Sequence, residues 1–327
     1  MKKTLKTLIT LLCVALLATA LLTSCTTAKV DKELQINITV LNGTTGFGAA
    51  KMMSDTKNGK SDLNYNFAVD TAPANIQAGL INGDIDIAAL PTNAAAALYK
   101  KSEGKIRIAA VNTLGVLYLM TNGETVTSIN DIKGKTIYCP AANPAFIFEA
   151  ICQANGLEKD SDYTLQTLTE PADVQKAIAS GEAKIAVIPE PLASAARIAN
   201  PNLVTALDLT VEWEKHYGEN TLMQGCIVVS AKFAEEHPKE LEQFLKDYKA
   251  SIEFTNASPK EASEMIVAAN IFAKAPVAEK AIPKCNIVYI DGEEMATALD
   301  VFFTKLHSVN PAAVGGQVPD SGIYYKK

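Results

Sequence analysis

The sequence has few of the residues on which catalytic and metal sites usually depend. Its three histidines, His216, His237 and His307, lie far apart along the chain. It also lacks the motifs G-x-S-x-G and H-E-x-x-H and the glycine-rich phosphate loop, which mark serine hydrolases, zinc peptidases and nucleotide-binding proteins. We therefore expect no catalytic residue, no bound metal ion and no cofactor, and we predict that the chain is not an enzyme.

Cysteine pairs with metal-ligand spacing are absent as well. The chain has six cysteines, and none belongs to a C-x-x-C pair. Four of them, Cys139, Cys152, Cys226 and Cys285, lie in apolar stretches, which is typical of buried free thiols. A disulfide between Cys139 and Cys152 is the alternative that an oxidising compartment would allow.

Beyond the first 25 residues, no unbroken apolar run is long enough to cross a membrane. The N-terminus has three lysines within its first six residues, then an apolar stretch from Leu8 to Leu22 and the sequence Leu-Thr-Ser-Cys ending at Cys25. This order is typical of an export signal, and its end resembles a bacterial lipobox. We predict a lipoprotein signal peptide at 1–24, a lipid on Cys25 and a tether at 25–33. A plain signal peptide and a retained anchor helix are the alternatives.

A lipid on Cys25 would hold the chain at the extracytoplasmic face of the cell membrane. The formal net charge is −6, and cleavage before Cys25 would remove three lysines and no acidic residue. An acidic mature chain argues against nucleic-acid binding and against a basic membrane-binding surface. We therefore expect a monomer that touches the membrane through its N-terminal lipid.

The middle of the chain contains an internal repeat. Residues 71–98 and 169–196 align without a gap at an offset of 98 residues and are identical at ten of 28 positions. Chance would give about two identities at ordinary composition. A repeat of this length that occurs twice predicts two copies of one supersecondary unit, not a solenoid.

Each copy has the same order of secondary-structure signals. A proline, Pro73 or Pro171, favours the first turn of a helix, and a glycine, Gly83 or Gly181, favours its end. A short apolar run follows, which is typical of a parallel strand covered on both faces. The repeat therefore predicts an α/β fold in which each copy belongs to a sheet of its own.

Two further β-rich runs, at 105–119 and 222–230, are expected to cross between the two halves. The first would leave one half and the second would return to it. These positions predict two Rossmann-like α/β lobes joined by two crossover strands. Lobe one is predicted at 34–115 plus 225–327, and lobe two at 116–224.

The C-terminal part is predicted to return to lobe one as helices at 231–252, 259–272 and 293–307, followed by a loosely packed tail. This organisation resembles the type II periplasmic binding proteins of ABC transporters. The segments GDIDIAALPTNAAAAL, SINDIKGKTI and QGCIVVSAKFAEEHPKELEQFLKDY resemble their SsuA/THI5-like branch, which binds sulfonates, nitrate and thiamine precursors. The resemblance implies one small-molecule ligand, closure of the lobes around it, and ABC permease and ATPase subunits as partners.

Ligands of open α/β sheets bind outside the carboxyl ends of the strands, so we expect ligand contacts in the loops there. The loop from Gly43 to Gly46 should offer hydroxyls and free backbone N–H groups at a helix start, which suit a polar or anionic group. The alternative is that its threonine only caps the helix. The predicted contacts of lobe one are Asn42, Gly43, Thr44, Thr45, Thr71, Thr92 and Asn93.

The predicted contacts of lobe two and its return crossing are Asn143, Phe146, Glu190, Trp213 and Gln224. A carboxylate at the mouth of the cleft, Glu190, would pair with an amine or a ring N–H. Its alternative role is that of a first-turn acid that stabilises a helix dipole. Trp213 is either a stacking wall of the cleft or an anchor in the core.

No arginine or lysine lies in these loops, which favours a neutral or cationic ligand over a sulfonate. We therefore predict a lipid-anchored solute-binding protein that delivers a nitrogen heterocycle, of the thiamine-precursor kind, to an ABC importer. The alternatives are an exported sensor lipoprotein without a transport role, and an enzyme on the same fold such as a pyrimidine-synthase-like or menaquinone-pathway protein.

Overall fold

Strands and helices alternate along much of the chain. The strands form two sheets, and helices pack against each sheet. The computed structural model describes residues 30–326. The predicted signal peptide at 1–24, the lipid site at Cys25 and most of the tether lie outside the described residues.

The first sheet has six strands. Numbered by their order in the chain, the strands lie across the sheet in the order 11-4-10-3-1-2. Most strands that pair are therefore not consecutive in the chain. The strands are β1 Gln35–Leu41, β2 Asn64–Asp70, β3 Ile87–Pro91, β4 Ile106–Thr113, β10 Gly225–Ser230 and β11 Ile287–Ile290. β1 pairs in parallel with β2 and β3, whereas β10 runs antiparallel between β3 and β4.

The second sheet has five strands in the order 7-6-8-5-9. They are β5 Leu117–Thr121, β6 Thr136–Pro140, β7 Thr164–Leu168, β8 Ile185–Pro189 and β9 Val204–Asp208. β6 pairs in parallel with β7 and β8, and β5 runs antiparallel to β8 and β9. We call the six-stranded sheet with its helices lobe one, and the five-stranded sheet with its helices lobe two.

Thirteen α-helices occur in the described residues. Those before the return crossing are α1 Thr44–Phe47, α2 Ala50–Lys57, α3 Pro73–Asn82, α4 Thr92–Lys101, α5 Asn143–Ala154, α6 Pro171–Ser180, α7 Leu192–Ala199 and α8 Leu209–Tyr217. Those after it are α9 Ala231–Glu236, α10 Pro238–Ala257, α11 Pro259–Ala268, α12 Ala275–Ala281 and α13 Gly292–Val309. None of these helices combines the length and the apolar character that a membrane span needs.

The internal repeat has the predicted structure. Pro73 and Pro171 open α3 and α6, and Gly83 and Gly181 end them in the left-handed conformation, with φ of 83° and 86°. The strands that follow, β3 and β8, also differ by the repeat offset, and they belong to different sheets. The prediction that each copy belongs to its own sheet is therefore confirmed.

The predicted α/β class with two lobes is confirmed, with one difference at the crossings. The chain passes from β4 to β5 through residues 114–116 and returns to β10 through 218–224, which are irregular segments and not continuous strands. The predicted lobe boundaries, 34–115 with 225–327 and 116–224, stay a prediction.

The long helix α13 packs against both lobes. It contacts β4 of lobe one and α5 of lobe two, and its Phe302 ring lies 5.8 Å from the Trp213 ring of α8, centroid to centroid. A buried apolar cluster runs through these contacts. From Glu33 onward the chain is accordingly one compact unit, in which the two lobes touch.

The C-terminal part differs from its prediction in two places. The sequence reasoning missed α12 and β11, because seven and four residues are too few to show a helical or strand period. The tail is also docked more firmly than expected. Ile323 and Tyr324 are buried, and the Tyr325 N–H donates to the Ile108 carbonyl of β4 at 2.9 Å.

Candidate functional site

The two crossing segments lie side by side between the lobes. The Val116 N–H donates to Oε1 of Gln224 at 2.8 Å, and the Gln224 N–H donates to the Thr113 carbonyl at 3.0 Å. On either side of these segments are the carboxyl ends of β3 in lobe one and of β8 in lobe two. The strand ends of both sheets therefore meet at the crossings, where ligands of open α/β sheets bind.

Main-chain hydrogen bonds extend this contact to the loops after the strands. The Thr92 N–H donates to the Gln224 carbonyl at 3.1 Å, and the Glu190 N–H donates to the Val116 carbonyl at 2.9 Å. Three predicted site residues, Thr92, Glu190 and Gln224, are thus brought together. With Thr44 and Val116 we call them the strand-end junction.

Thr44 joins the junction from the loop after β1. Its hydroxyl donates to the Glu190 carbonyl at 2.8 Å, so a loop of lobe one touches a loop of lobe two directly. The same hydroxyl lies 3.9 Å from the Cys285 sulfur. Gly43, with φ of 82° and ψ of −158°, permits the turn that places Thr44 here.

The expectation of free backbone N–H groups in this loop is wrong at two positions. The Gly43 N–H donates to the Ile271 carbonyl and the Gly46 N–H donates to the Gly43 carbonyl, each at 3.0 Å. The helix that begins within this loop, α1, is a single turn of four residues. In this loop it is therefore the Thr44 side chain, and not the N–H groups of Gly43 and Gly46, that contacts the facing lobe.

Glu190 is buried, and its carboxyl group accepts hydrogen bonds from the first turn of α7. Oε2 accepts the Ser194 N–H at 3.0 Å and Oε1 accepts the Ser194 hydroxyl at 2.9 Å. Burial raises the pKa of this carboxyl, while the bonds from Ser194 and the charges of Lys284 and Arg197 lower it less strongly. Glu190 lies two residues before α7 begins. Its place is therefore near that of the alternative role, an acid that stabilises a helix N-terminus, although it is not in the first turn.

Four buried side-chain oxygens in the described residues have no hydrogen-bond partner. They are Thr92 Oγ1, Asn93 Oδ1, Asn143 Oδ1 and Thr210 Oγ1. The first two follow β3 of lobe one, Asn143 opens the helix after β6, and Thr210 follows β9. Because β6, β8 and β9 run in the same direction, their carboxyl ends share one edge of the second sheet. All four oxygens therefore lie at strand ends that face the crossings.

These four oxygens are buried without a hydrogen-bond partner, which is unfavourable for a folded protein. A buried donor or acceptor without a partner costs about 1–3 kcal/mol, and such groups in native proteins usually meet a ligand or a bound water. The Thr92 hydroxyl has the thiol of Cys226 beside it, which is a weak partner. Burial raises the pKa of this thiol to about 12, and the contact with Thr92 lowers it less strongly. Asn93 donates from Nδ2 to the Ala313 carbonyl at 3.5 Å, which leaves Oδ1 as a free acceptor.

Other predicted contacts are placed less favourably. Asn42 and Thr71 are exposed, Phe146 is half-buried against the core, and the Thr45 carbonyl accepts the Asn112 amide at 3.0 Å. Trp213 is fully buried, and its indole N–H donates to the Thr221 hydroxyl at 2.9 Å. Trp213 is thus an anchor in the core, because α13 covers it, and not part of a surface or a stacking wall.

Sequence reasoning missed Thr210 and the groups around it. The Asp208 carboxylate accepts the Thr210 N–H at 2.8 Å and caps α8, so the sequence Asp-Leu-Thr was a usable helix-start signal. A Cβ added to Gly115 would lie 2.2 Å from the Thr210 hydroxyl. A glycine is therefore required in the first crossing, where it passes close to this strand end.

A cavity of about 630 Å³ lies away from the crossings, beside β2 and between α2 and α11. Met53, Phe67 and Met265 contribute to its wall. No residue of the strand-end junction lines it. It therefore does not belong to the site at the crossings.

Three solved structures give the fold its context. An ABC transporter protein from Parabacteroides distasonis superposes with a TM-score of 0.76 at 25% identity, over 91% of this chain and 100% of that one. The periplasmic aliphatic sulphonate binding protein SsuA from Escherichia coli superposes with 0.72 at 14% identity, over 89% and 92% of the two chains. The alkanesulfonate-binding protein SsuA from Xanthomonas axonopodis pv. citri, bound to MOPS, gives 0.63 at 14% identity, over 90% and 96%.

These neighbours confirm the periplasmic binding protein fold that the sequence predicts. No curated protein sequence matches the chain. The model of the NMT1/THI5-like family matches residues 60–262, which is more than half of the chain. The chain therefore belongs to the NMT1/THI5-like family.

Proposed function

We propose that the protein is the solute-binding component of an ABC importer and binds one small polar molecule between its lobes. The observation that carries the proposal is the set of four partnerless oxygens at the facing strand ends, Thr92 Oγ1, Asn93 Oδ1, Asn143 Oδ1 and Thr210 Oγ1. Binding sites place a few polar groups in an otherwise enclosed, largely apolar space. Both lobes contribute, so a ligand there would hold them together.

The chemistry of these oxygens indicates the class of ligand. The two asparagine Oδ1 atoms only accept hydrogen bonds, and a threonine hydroxyl both donates and accepts. A ligand with N–H or O–H donors would satisfy them, whereas a sulfonate offers acceptors alone. We therefore propose a nitrogen heterocycle of the thiamine-precursor kind as the cargo. The two SsuA neighbours, each 14% identical to this chain, are an aliphatic sulphonate binding protein and an alkanesulfonate-binding protein.

The remaining parts of the proposal concern the cell. We propose export by residues 1–24, a lipid anchor on Cys25, and action as a monomer at the extracytoplasmic face with permease and ATPase partners. Lobe boundaries at 115/116 and 224/225 belong to the same proposal. We also propose a binding protein and not an enzyme, since the polar side chains at the facing strand ends are those of threonine, asparagine and glutamine, with one carboxyl that Ser194 already bonds.

Native mass spectrometry of protein purified without refolding tests the binding proposal. We expect a small molecule of defined mass to co-purify with the wild type and to be lost in Asn143→Ala. The exposed Asn202 provides a matched control, since Asn202→Ala removes an amide that precedes β9, at the opposite end of this strand from its carboxyl end. A bound molecule retained equally by both variants would refute the site.

A thermal-shift panel then tests the ligand class. Pyrimidines and heterocyclic amines should raise the melting temperature of the wild type more than alkanesulfonates at equal concentration and ionic strength. Stabilisation by a sulfonate that Asn143→Ala abolishes would keep the site and overturn the proposed cargo.

A further inference from the structure

A second cavity is bordered by both lobes and carries three basic side chains. Its volume is about 630 Å³. It is lined by Ser194, Arg197, Ile198, Pro201, Lys280 and Lys284. The first four belong to α7 and its end in lobe two, and the two lysines belong to α12 and the short 3₁₀ helix Ile282–Lys284, which precede β11 of lobe one. α7 and α12 pack against each other, so the cavity lies at a contact between the lobes.

The positive charge of this cavity is not neutralised within the described part of the chain. Neither Arg197 nor Lys280 nor Lys284 forms an ion pair there, and no carboxylate is among the lining residues. Arg197 donates from Nη1 to the Thr205 hydroxyl at 3.2 Å, which orients the guanidinium and leaves most of its N–H donors available. The neighbouring acid, Glu190, is buried and already accepts two bonds from Ser194.

We propose that this cavity binds a multivalent oxyanion of the phosphate or sulfate type, held by Arg197 from lobe two and by Lys280 and Lys284 from lobe one. Three like charges around one cavity repel each other. An oxyanion between them adds an attraction to each cation, which offsets this repulsion. The guanidinium fork suits tetrahedral oxyanions, and lysine adds point charges. The site is separate from the partnerless oxygens of the cargo site and does not depend on the cargo.

An anion held in this way would bridge the lobes. A motion that separates α7 from α12 would move Arg197 away from the two lysines, so the oxyanion would bind more tightly to the arrangement in which these helices are packed. A ligand that prefers one arrangement shifts the protein toward it. The oxyanion would therefore favour the packed arrangement.

Isothermal titration calorimetry and thermal unfolding with sodium phosphate and sodium sulfate test the proposal. Sodium chloride at matched ionic strength controls for general screening. The variants are Arg197→Gln for the lobe-two side and Lys280→Gln/Lys284→Gln for the lobe-one side. The pair of exposed lysines at the end of α4 provides the control, since Lys100→Gln/Lys101→Gln removes the same charge elsewhere.

We expect phosphate to raise the melting temperature of the wild type beyond the chloride effect. Each cavity variant should weaken phosphate binding by on the order of tenfold or more, the scale of one lost charged hydrogen bond, and the α4 control should bind like the wild type. Equal responses to phosphate and chloride would overturn the site. Weakening in only one of the two cavity variants would overturn the bridge. Thermal unfolding of the variants without anion, monitored by circular dichroism, shows whether a lost phosphate response reflects misfolding. The conservative variant Arg197→Lys should retain part of the phosphate binding.

Discussion

The hydroxyl of Thr44 in lobe one donates a 2.8 Å hydrogen bond to the main-chain carbonyl of Glu190 in lobe two. Both residues are buried. Glu190 directly follows β8, and Thr44 lies three residues after the end of β1. The bond therefore ties the two facing edges together at one point. Its partners are a side chain and a main-chain atom, so it depends on Thr44 but tolerates changes in the Glu190 side chain.

Replacement of Thr44 by valine removes this bond without changing the volume of the side chain much. We expect the free energy of unfolding to fall by about 1 kcal/mol, because the buried Glu190 carbonyl loses its partner. Urea denaturation measures the change. Thr39→Val is the control, since Thr39 is equally buried in β1 and its hydroxyl makes no hydrogen bond in the described residues. Equal destabilisation by both variants would contradict the role of the bond.

Thr210→Val should have the opposite effect on stability. The Thr210 hydroxyl is buried without a partner, so its removal should leave the ligand-free protein as stable as before or more stable by up to about 1 kcal/mol. The amount of co-purified small molecule, measured by native mass spectrometry, should fall at the same time. A variant that loses stability and keeps its ligand would show that the hydroxyl has a structural partner instead.

Glu190→Gln should change how stability depends on pH. Burial raises the folded-state pKa of this carboxyl above its ordinary value of 4.5. A raised pKa means that the folded protein holds the proton more tightly, so the stabilisation is present below the unfolded pKa and is lost as pH rises through the folded pKa. The glutamine variant should therefore gain stability relative to the wild type as pH rises from 4.5 through the raised folded-state pKa.

Thermal unfolding across this pH range checks the Glu190 prediction. Glu182→Gln, at an exposed position after α6, controls for the loss of a carboxylate as such. A difference between Glu190→Gln and wild type that stays constant with pH would contradict it.

The four cysteines of the described chain are free and buried. Burial raises the pKa of Cys139 well above its ordinary value and that of Cys152 to about 12, so neither forms a reactive thiolate near neutral pH. In protein expressed without residues 1–25, a thiol reagent should detect almost no reactive cysteine in the native state and four after denaturation without reductant. Two thiols after denaturation would instead indicate the Cys139–Cys152 disulfide.

Lipidation can be tested in cells. Cys25→Ala should move the protein from the membrane fraction to the soluble extracytoplasmic fraction, because the acceptor of the lipid is lost. Immunoblotting of cell fractions measures the distribution. Ser24→Ala keeps the cysteine and should stay with the membrane. A Cys25→Ala protein that remains in the membrane fraction would point to a retained anchor helix.

The repeat was the most predictable part of the fold. Prolines and glycines at fixed places set the limits of α3 and α6, and the apolar runs after them could only be covered strands. In contrast, α12 and β11 depend on contacts with distant elements, since α12 packs on α11 and β11 pairs with β4 at the sheet edge. Their own residues carry too little periodicity to reveal them.

The site was predictable to the extent that it follows strand ends. Thr44, Thr92, Glu190 and Gln224 lie at the crossings, and the end of an apolar run can be read from sequence. Their contact with a ligand stays a prediction. What each side chain does there could not be read. The hydrogen bonds of the Glu190 carboxyl depend on Ser194, one turn later in the chain, and burial of Trp213 depends on α13, which is far from it in sequence.

The bond between Val116 and Gln224 has a consequence for the modular construction of the chain. The point where the chain enters lobe two and the point where it leaves are neighbours, and Thr113 pairs with Gly225 across an antiparallel ladder. Paired residues of such ladders lie only about 5 Å apart between Cα atoms. A two-residue turn could therefore close β4 directly onto β10, so that lobe two is an insertion in a hairpin. Related lobes could be exchanged at this hairpin without altering the path of the surrounding sheet.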